Sequence, residues 1–198
     1  MLNVDELPEC EPSEYESLVA MGTHSLDAIP GAIYLCDRDG WLVRFNREAV
    51  NLWGRTPALG ENGDRFCGSY RLYTTGGTPL AVDECPMAST LKAGLCARNQ
   101  EVLIERPDGS RFVALMSIRT LRDRSGIIQG AINCFQDVSA HHAIAEELRR
   151  TSSDLEDFFE NSAVGLHIVS GEGIILRANK AELSLLGYSA KKNCLRPS

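Results

Sequence analysis

Between residues 99 and 139 the apolar positions gather into three runs, 100–105, 112–118 and 127–138, separated by 106–110 and 122–126. Pro107 presets a turn φ in the first gap and Gly109 accepts a positive one, and Gly126 sits in the second gap, so the pattern predicts a meander of three antiparallel strands. In the middle run both alternating sets are apolar, Phe112, Ala114, Met116 and Ile118 on one side and Val113 and Leu115 on the other. A sheet patterned this way has two faces to cover. The third run passes through Asp137, Val138 and Ser139 into a helical pattern with no Pro or Gly between them.

Upstream, Tyr15, Leu18, Val19, Met21, Leu26 and Ile29 recur at helical spacing, which predicts an amphipathic helix over 13–29 broken near Gly22. Residues 32–36 then read as a buried strand, 37–40 as a turn and 41–45 as the hairpin partner. Asn46 is placed to cap a helix over 47–53 that Gly54 ends. Residues 55–82, rich in Gly, Pro and Thr, favour no single state. Asp83 is expected to cap the next helix, with Pro86 in its first turn, Met87, Leu91 and Leu95 on one face, and a stop near Gly94. Beyond Ser139, Ile144, Leu148, Leu155 and Phe158 alternate spacings of four and three if Thr151 fills the missing position, and His141 falls on the same seam. Two readings stand: a short coiled-coil seam, or one amphipathic helix packed on its own domain.

The chain also repeats itself. An offset of 133 pairs Gly40 with Gly173, Arg44 with Arg177, Asn46 with Asn179, Leu52 with Leu185 and Gly54 with Gly187. The element pattern follows: strand 165–169, turn 170–173, strand 174–178, then Asn179 as a cap with Glu182 completing a capping box. Residues 188–198 are too few to supply this copy with a meander, so the expectation is either a fragment of a longer protein or a tail that packs on a partner.

Composition narrows the function classes. With a net charge of −7 and a pI near 5.1, the chain offers no basic face for nucleic acid. No apolar run approaches the ~20 residues of a membrane span, and the acidic start is not a secretory signal, so a cytoplasmic protein is expected. Seven cysteines without a C-x-x-C pair signal neither a disulfide framework nor a zinc site, and Cys36 and Cys134, in apolar runs, are expected to be buried. No motif of hydrolases, nucleotide-binding loops or metalloproteases is present, and the acids Asp83 and Glu84 suit a helix N-terminus for dipole reasons alone, so no enzyme is expected.

The order of helix, two strands, Asn-capped helix, variable segment, helix and meander resembles the PAS sensor domains. Residues 137–139 are similar to the Asp-x-Thr/Ser signature that closes the last PAS strand, and 78–88 and 106–111 resemble stretches of PAS domains in bacterial sensor kinases. The resemblance covers about 25–139, with a partial second copy at about 157–189. It implies an α+β fold: a five-stranded antiparallel sheet with short helices on one face enclosing a cavity, an N-terminal helix, a C-terminal linker helix and an incomplete second repeat. The corresponding division is 1–24, 25–139, 140–160 and 161–198.

The function implied is a sensory module of a signal-transduction protein, with a small ligand in the cavity or the protein's own side chains filling it. A packing change would pass to the helix that starts at Ser139. Candidate lining residues are Tyr34, Trp53, Met87, Leu91, Met116, Ile132 and Asn133, with Gln136 a further polar neighbour; Asp137 and Ser139 are the relay, and Ile144, Leu148, Leu155 and Phe158 the linker seam. Flavin-binding members carry a reactive Cys in a Gly-x-Asn-Cys-Arg-Phe context; Cys67 lies in that region but without the Asn or the Arg-Phe, which argues against flavin. Haem-binding members use a His on the helix before the meander; residues 83–95 have none, and His24, His141, His142 and His167 fall outside the expected cavity, so haem is disfavoured and any cofactor is unknown. The implied partners are a second copy, through the N-terminal helix, a sheet face or the linker helix, and a downstream signalling domain or kinase. The alternative is a PAS adaptor used only for dimerisation or protein interaction.

Overall fold

The computed structural model describes residues 13–61 and 63–188; the lead-in 1–12 and the tail 189–198, with Cys10 and Cys194, lie outside the described residues. The chain divides into two units, Met1–Ala140 and His141–Ser198.

In the first unit the amphipathic stretch forms α1 (Glu14–Ala20) and α2 (Thr23–Asp27), divided where Gly22 predicts the break. Ser13 and Glu16 close a capping box at the start of α1. Strands β1 (Ala32–Asp37) and β2 (Leu42–Phe45) follow, then α3 (Arg47–Trp53), which runs from the Asn46 cap to Gly54 at φ 69°. Two short strands, β3 (Arg71–Tyr73) and β4 (Pro79–Leu80), occupy the segment whose sequence favours no state. A 3-10 turn at Val82–Glu84 leads into α4 (Pro86–Ala93). The cap of α4 is Cys85, with φ −65° and ψ 161°, and not Asp83 as expected. The backbone explains the shift: the residue before a proline is held extended, so the helix starts at Pro86 itself. At the other end Gly94, at φ 67°, stops the helix, so Leu95 lies past it and is exposed.

The meander is β5 (Ala97–Glu105), β6 (Arg111–Arg122) and β7 (Ile128–Asp137), after which α5 (Ser139–Asn161) begins. β5 gains its first residues through a bulge at Asn99, whose φ of 52° suits the short polar side chain of Asn. The antiparallel sheet has the order β2-β1-β7-β6-β5-β3-β4. It has seven strands instead of five, because β3 pairs with β5 (Leu72 opposite Ile104) and β4 pairs with β3 (Leu72 opposite Leu80), lengthening one edge.

The two apolar faces are covered differently. Against α3 and α4 lies the main core, which includes Tyr34, Trp53, Met87, Ile104, Met116 and Phe135. On the other face Ile33, Leu35 and Leu121 are buried with Tyr15 and Leu18 of α1, Ile29, Val43 and Ile132 packed against them. The N-terminal helix thus covers part of the second face, and Val113 and Leu115 stay half-buried. Two expectations fail here for one reason. Successive β7 side chains alternate, and with Ala131, Asn133 and Phe135 directed into the main core, Ile132 joins the opposite cluster and Cys134 is exposed. Ile132 therefore does not line the core face.

In the second unit β8 (His167–Val169) pairs with β9 (Ile175–Ala178) in a sheet of their own, and α6 (Lys180–Leu185) follows. Asn179 caps α6 by accepting from the Glu182 amide at 2.9 Å. The expected capping box is only half made, since the Glu182 carboxylate turns to His167 Nδ1 at 3.2 Å.

Candidate functional site

The centre of the main core is aromatic. Tyr34 projects from β1, Phe135 from β7 and Trp53 from the last turn of α3, with ring centroids 5.2 Å (Tyr34 to Trp53), 5.9 Å (Tyr34 to Phe135) and 5.5 Å (Trp53 to Phe135, stacked) apart. None of the three is more than 1% exposed. Pairing places Asn133 of β7 between Tyr34 and Ile118, so all three face the same interior. The Tyr34 hydroxyl donates to the Phe66 carbonyl at 3.1 Å. Asn133 lies close enough to favour the Tyr34 phenolate slightly. Its amide nevertheless makes no hydrogen bond within the protein, and neither does Trp53 Nε1.

Three thiols surround this centre: Cys36, Cys67 and Cys85 are all buried. Burial pushes the Tyr34 phenol well above its ordinary value, and the neighbouring Cys67, Cys36 and Cys85 add to the push. Burial likewise raises Cys36 and Cys67, and pushes Cys85 up to about 12. These groups stay protonated near neutral pH, which makes the thiols poor nucleophiles. The Cys67 thiol is also engaged with Ser69 Oγ at 3.1 Å.

The segment over this centre is tightly built. Arg55 forms a two-pronged ion pair with Asp64, both bonds 2.8 Å, and Asp64 accepts from the Ala58 amide, which organises the loop after α3. Phe66 takes a φ of 60°, its amide donating to the Gly40 carbonyl at 2.6 Å while the Cys67 amide reaches back to Arg65 at 2.8 Å. Such a left-handed conformation in a bulky residue is strained and must be held by its surroundings. Gly68 follows because any side chain there would strike the Trp53 ring.

The other predicted feature, the joint with the helix, is bonded on three sides. Asp137 Oδ1 accepts from the Ser139 amide at 2.9 Å, and Ser139 Oγ accepts from the Val113 amide of β6 at 2.9 Å. Arg106 approaches the Asp137 carboxylate at 3.9 Å, donates to the Leu52 carbonyl of α3 at 2.7 Å and stacks over Phe112 at 4.4 Å. Arg106 thereby ties the end of α3 to the end of β7. Sequence reasoning missed its role, although it opens the 106–111 turn that carried part of the resemblance.

Of the predicted lining residues, Tyr34, Trp53, Met87, Met116 and Asn133 are buried together on the core face, and Leu91 packs partly buried against them. Gln136 is exposed. Two surface grooves are separate from this centre. One of about 400 Å³ lies between α4 and β5; another of about 440 Å³ is bordered by Asp27, Arg47, Leu52 and Asp137. Neither is lined by any of the seven candidates. The seam residues Ile144, Leu148, Leu155 and Phe158 are 64–69% exposed. His24 lies on α2, His141 and His142 on α5 and His167 on β8. Among the described residues no group of three or more His, Cys, Asp and Glu is placed to hold a metal ion, and no helix is long and apolar enough to cross a membrane.

An antiparallel sheet that buries an aromatic centre under short helices, with its last strand bonded directly to a long helix, defines an α+β domain whose enclosed core abuts a helix start. A PAS domain model matches residues 30–140 and a second one residues 153–197; the chain belongs to the PAS domain family. Among solved structures, a light-oxygen-voltage domain studied with a flavin analogue is 24% identical, covering 66% of this chain and 93% of that one with a TM-score of 0.46. The PAS domain of the fruit-fly ELK potassium channel is 13% identical over 65% of this chain and 99% of its own, TM-score 0.46. An RNA-binding light-oxygen-voltage receptor is 20% identical over 78% of this chain and 42% of its own, TM-score 0.49. No curated protein matches the chain significantly.

Proposed function

We propose that residues 30–140 are the sensory module of a signal-transduction protein, in which a change of packing around Tyr34, Trp53 and Asn133 is passed along β7 to α5, toward a downstream signalling domain or kinase. The observation that carries this reading is the Asp137–Ser139 joint, where strand, helix start and the Val113 amide share one set of hydrogen bonds. A shift of β7 alters those bonds first, which biases the helix between two arrangements. The test is Asp137→Ala followed by amide hydrogen exchange. The first turn of α5 should exchange about tenfold faster, while the unit loses only about 1 kcal/mol, the usual cost of a lost cap. Cooperative unfolding of the whole unit would make Asp137 a structural residue and remove the relay.

A second reading is supported by the exposed seam of α5: an adaptor that dimerises through Ile144, Leu148, Leu155 and Phe158 without sensing a ligand. Sedimentation should then show a dimer that Leu148→Asp with Leu155→Asp disrupts. A monomer at every concentration discards it.

A further inference from the structure

Two polar groups in the buried centre have no hydrogen-bond partner within the protein. Asn133 is fully buried on the core face of β7, and neither its oxygen nor its nitrogen has a hydrogen-bond partner in the protein. Trp53 Nε1 is buried and unpaired in the same cluster. An unpaired buried amide lowers stability where an apolar residue of similar size would not, so its presence calls for a second role. We propose that Asn133 is the recognition residue of an interior site for a small, neutral, planar molecule that carries a hydrogen-bond acceptor beside a donor along one edge, as an aromatic lactam or carboxamide does. This rests on the sensory reading above and names its ligand class.

The edge follows from the amide itself, whose oxygen and NH₂ lie side by side and match a lactam edge with two parallel hydrogen bonds. Planarity follows from the rings around it: Tyr34 opposite Asn133 across the strands, Phe135 two residues along β7, and Trp53 stacked on Phe135. Neutrality follows from the absence of any counter-charge. Tyr34, Ile118, Ala131 and Phe135 flank the amide, and the one buried carboxylate among the described residues, Glu105, is committed to Arg111 and Tyr73. A charged guest would be desolvated there without compensation. Room comes from Met87 and Met116, unbranched side chains of the same cluster that can change rotamer. Entry is through the 65–69 segment, where the strained Phe66 supplies the carbonyl that holds the Tyr34 hydroxyl.

The experiment titrates the full chain with isoquinolone, N-methylisoquinolone and naphthalene, following tryptophan fluorescence and melting temperature. Isoquinolone should bind at least about tenfold more tightly than its N-methyl form, which keeps the acceptor and loses the donor. Asn133→Leu should erase that preference while the unliganded protein melts no lower than wild type; Asn133→Val serves if Leu does not fit. Equal binding of isoquinolone and N-methylisoquinolone, a preference that survives in the Asn133 variants, or no binding of isoquinolone overturns the assignment. Equal binding of all three compounds would refute Asn133 recognition and leave the sensory reading standing, and the Asp137→Ala exchange experiment judges that reading independently.

Discussion

Residues 31–54 and 164–187 build the same corner twice. In the first copy the Asn46 side chain accepts from the Ile33 and Ala49 amides at 3.0 Å each and donates to the Gly31 carbonyl at 2.7 Å. In the second, Asn179 accepts from the Leu166 and Glu182 amides and donates to the Val164 carbonyl, all at 2.9 Å. The turns match too, with the Asp37 carboxylate accepting from the Asp39 and Trp41 amides where the Ser170 hydroxyl accepts from Glu172 and Ile174. Even the paired arginines hold a preceding helix: Arg44 bonds the Val19 and Met21 carbonyls at the C-terminal end of α1, and Arg177 bonds Glu156 and Glu160 of α5. What differs is burial. β1 lies between β2 and β7 and is buried except at Asp37, whereas β8 pairs with β9 alone and all three of its residues are exposed. Local hydrogen bonding shapes the corner; only the meander buries it.

The sharpest way to separate shape from burial is at the turn glycines. Gly40 and Gly173 share a φ above +80°, but a side chain at Gly40 would run into the Phe66 ring while one at Gly173 meets nothing. Gly40→Ala should cost about 3 kcal/mol or more, from positive φ plus overpacking, and Gly173→Ala about 1 kcal/mol, from φ alone, in urea unfolding of the two units. Equal costs would show that the Phe66 contact yields freely. Next come the asparagines. Asn46→Ala should cost about 2–3 kcal/mol, since it strands buried amides and carbonyls, and Asn179→Ala about 1–2 kcal/mol, because the strands it serves keep access to water. A larger loss at Asn179 would mean that the second corner depends on its clasp more than the first does.

The smallest effect is a pH dependence confined to the first unit. Hydrogen bonding from Arg111, aided by Tyr73, holds the Glu105 carboxyl below the ordinary glutamate value of 4.5. The folded state keeps this group charged where the unfolded chain has already taken up a proton, so its contribution is complete above 4.5 and is lost as pH falls through the lower folded value. Glu105→Gln should therefore lower the melting temperature at pH 7 and converge with wild type under acid. A constant difference across that range would remove the carboxylate from the account.

Where local chemistry and hydrophobic period agreed, the chain was readable: Asn46, Gly54 and the corner between them stand where caps and alternation put them. The edge strands β3 and β4 were not readable, because three and two residues carry no period and exist through pairing with β5. The facing of β7 was hidden for the opposite reason. A strand with apolar residues on both faces shows no clean polar alternation, so Ile132 and Asn133 both looked inward although neighbours cannot both face one side. The start of α4 was set by a backbone restriction at Cys85 that outweighed the better capping side chain of Asp83. Of the candidate site, the aromatic centre was visible as buried residue types, and the unpaired state of the Asn133 amide needed coordinates.

The strand order also governs assembly in time. β1 joins β7 through partners such as Tyr34 and Asn133, roughly a hundred residues apart along the chain, so an interior pairing of the sheet is among its most distant. During synthesis β1 and β2 leave the ribosome long before β7 exists, and their corner must wait, half-formed, for a strand that closes the core last. Folding of this unit is thus expected to be governed by one long loop closure, slower than its helix content alone suggests.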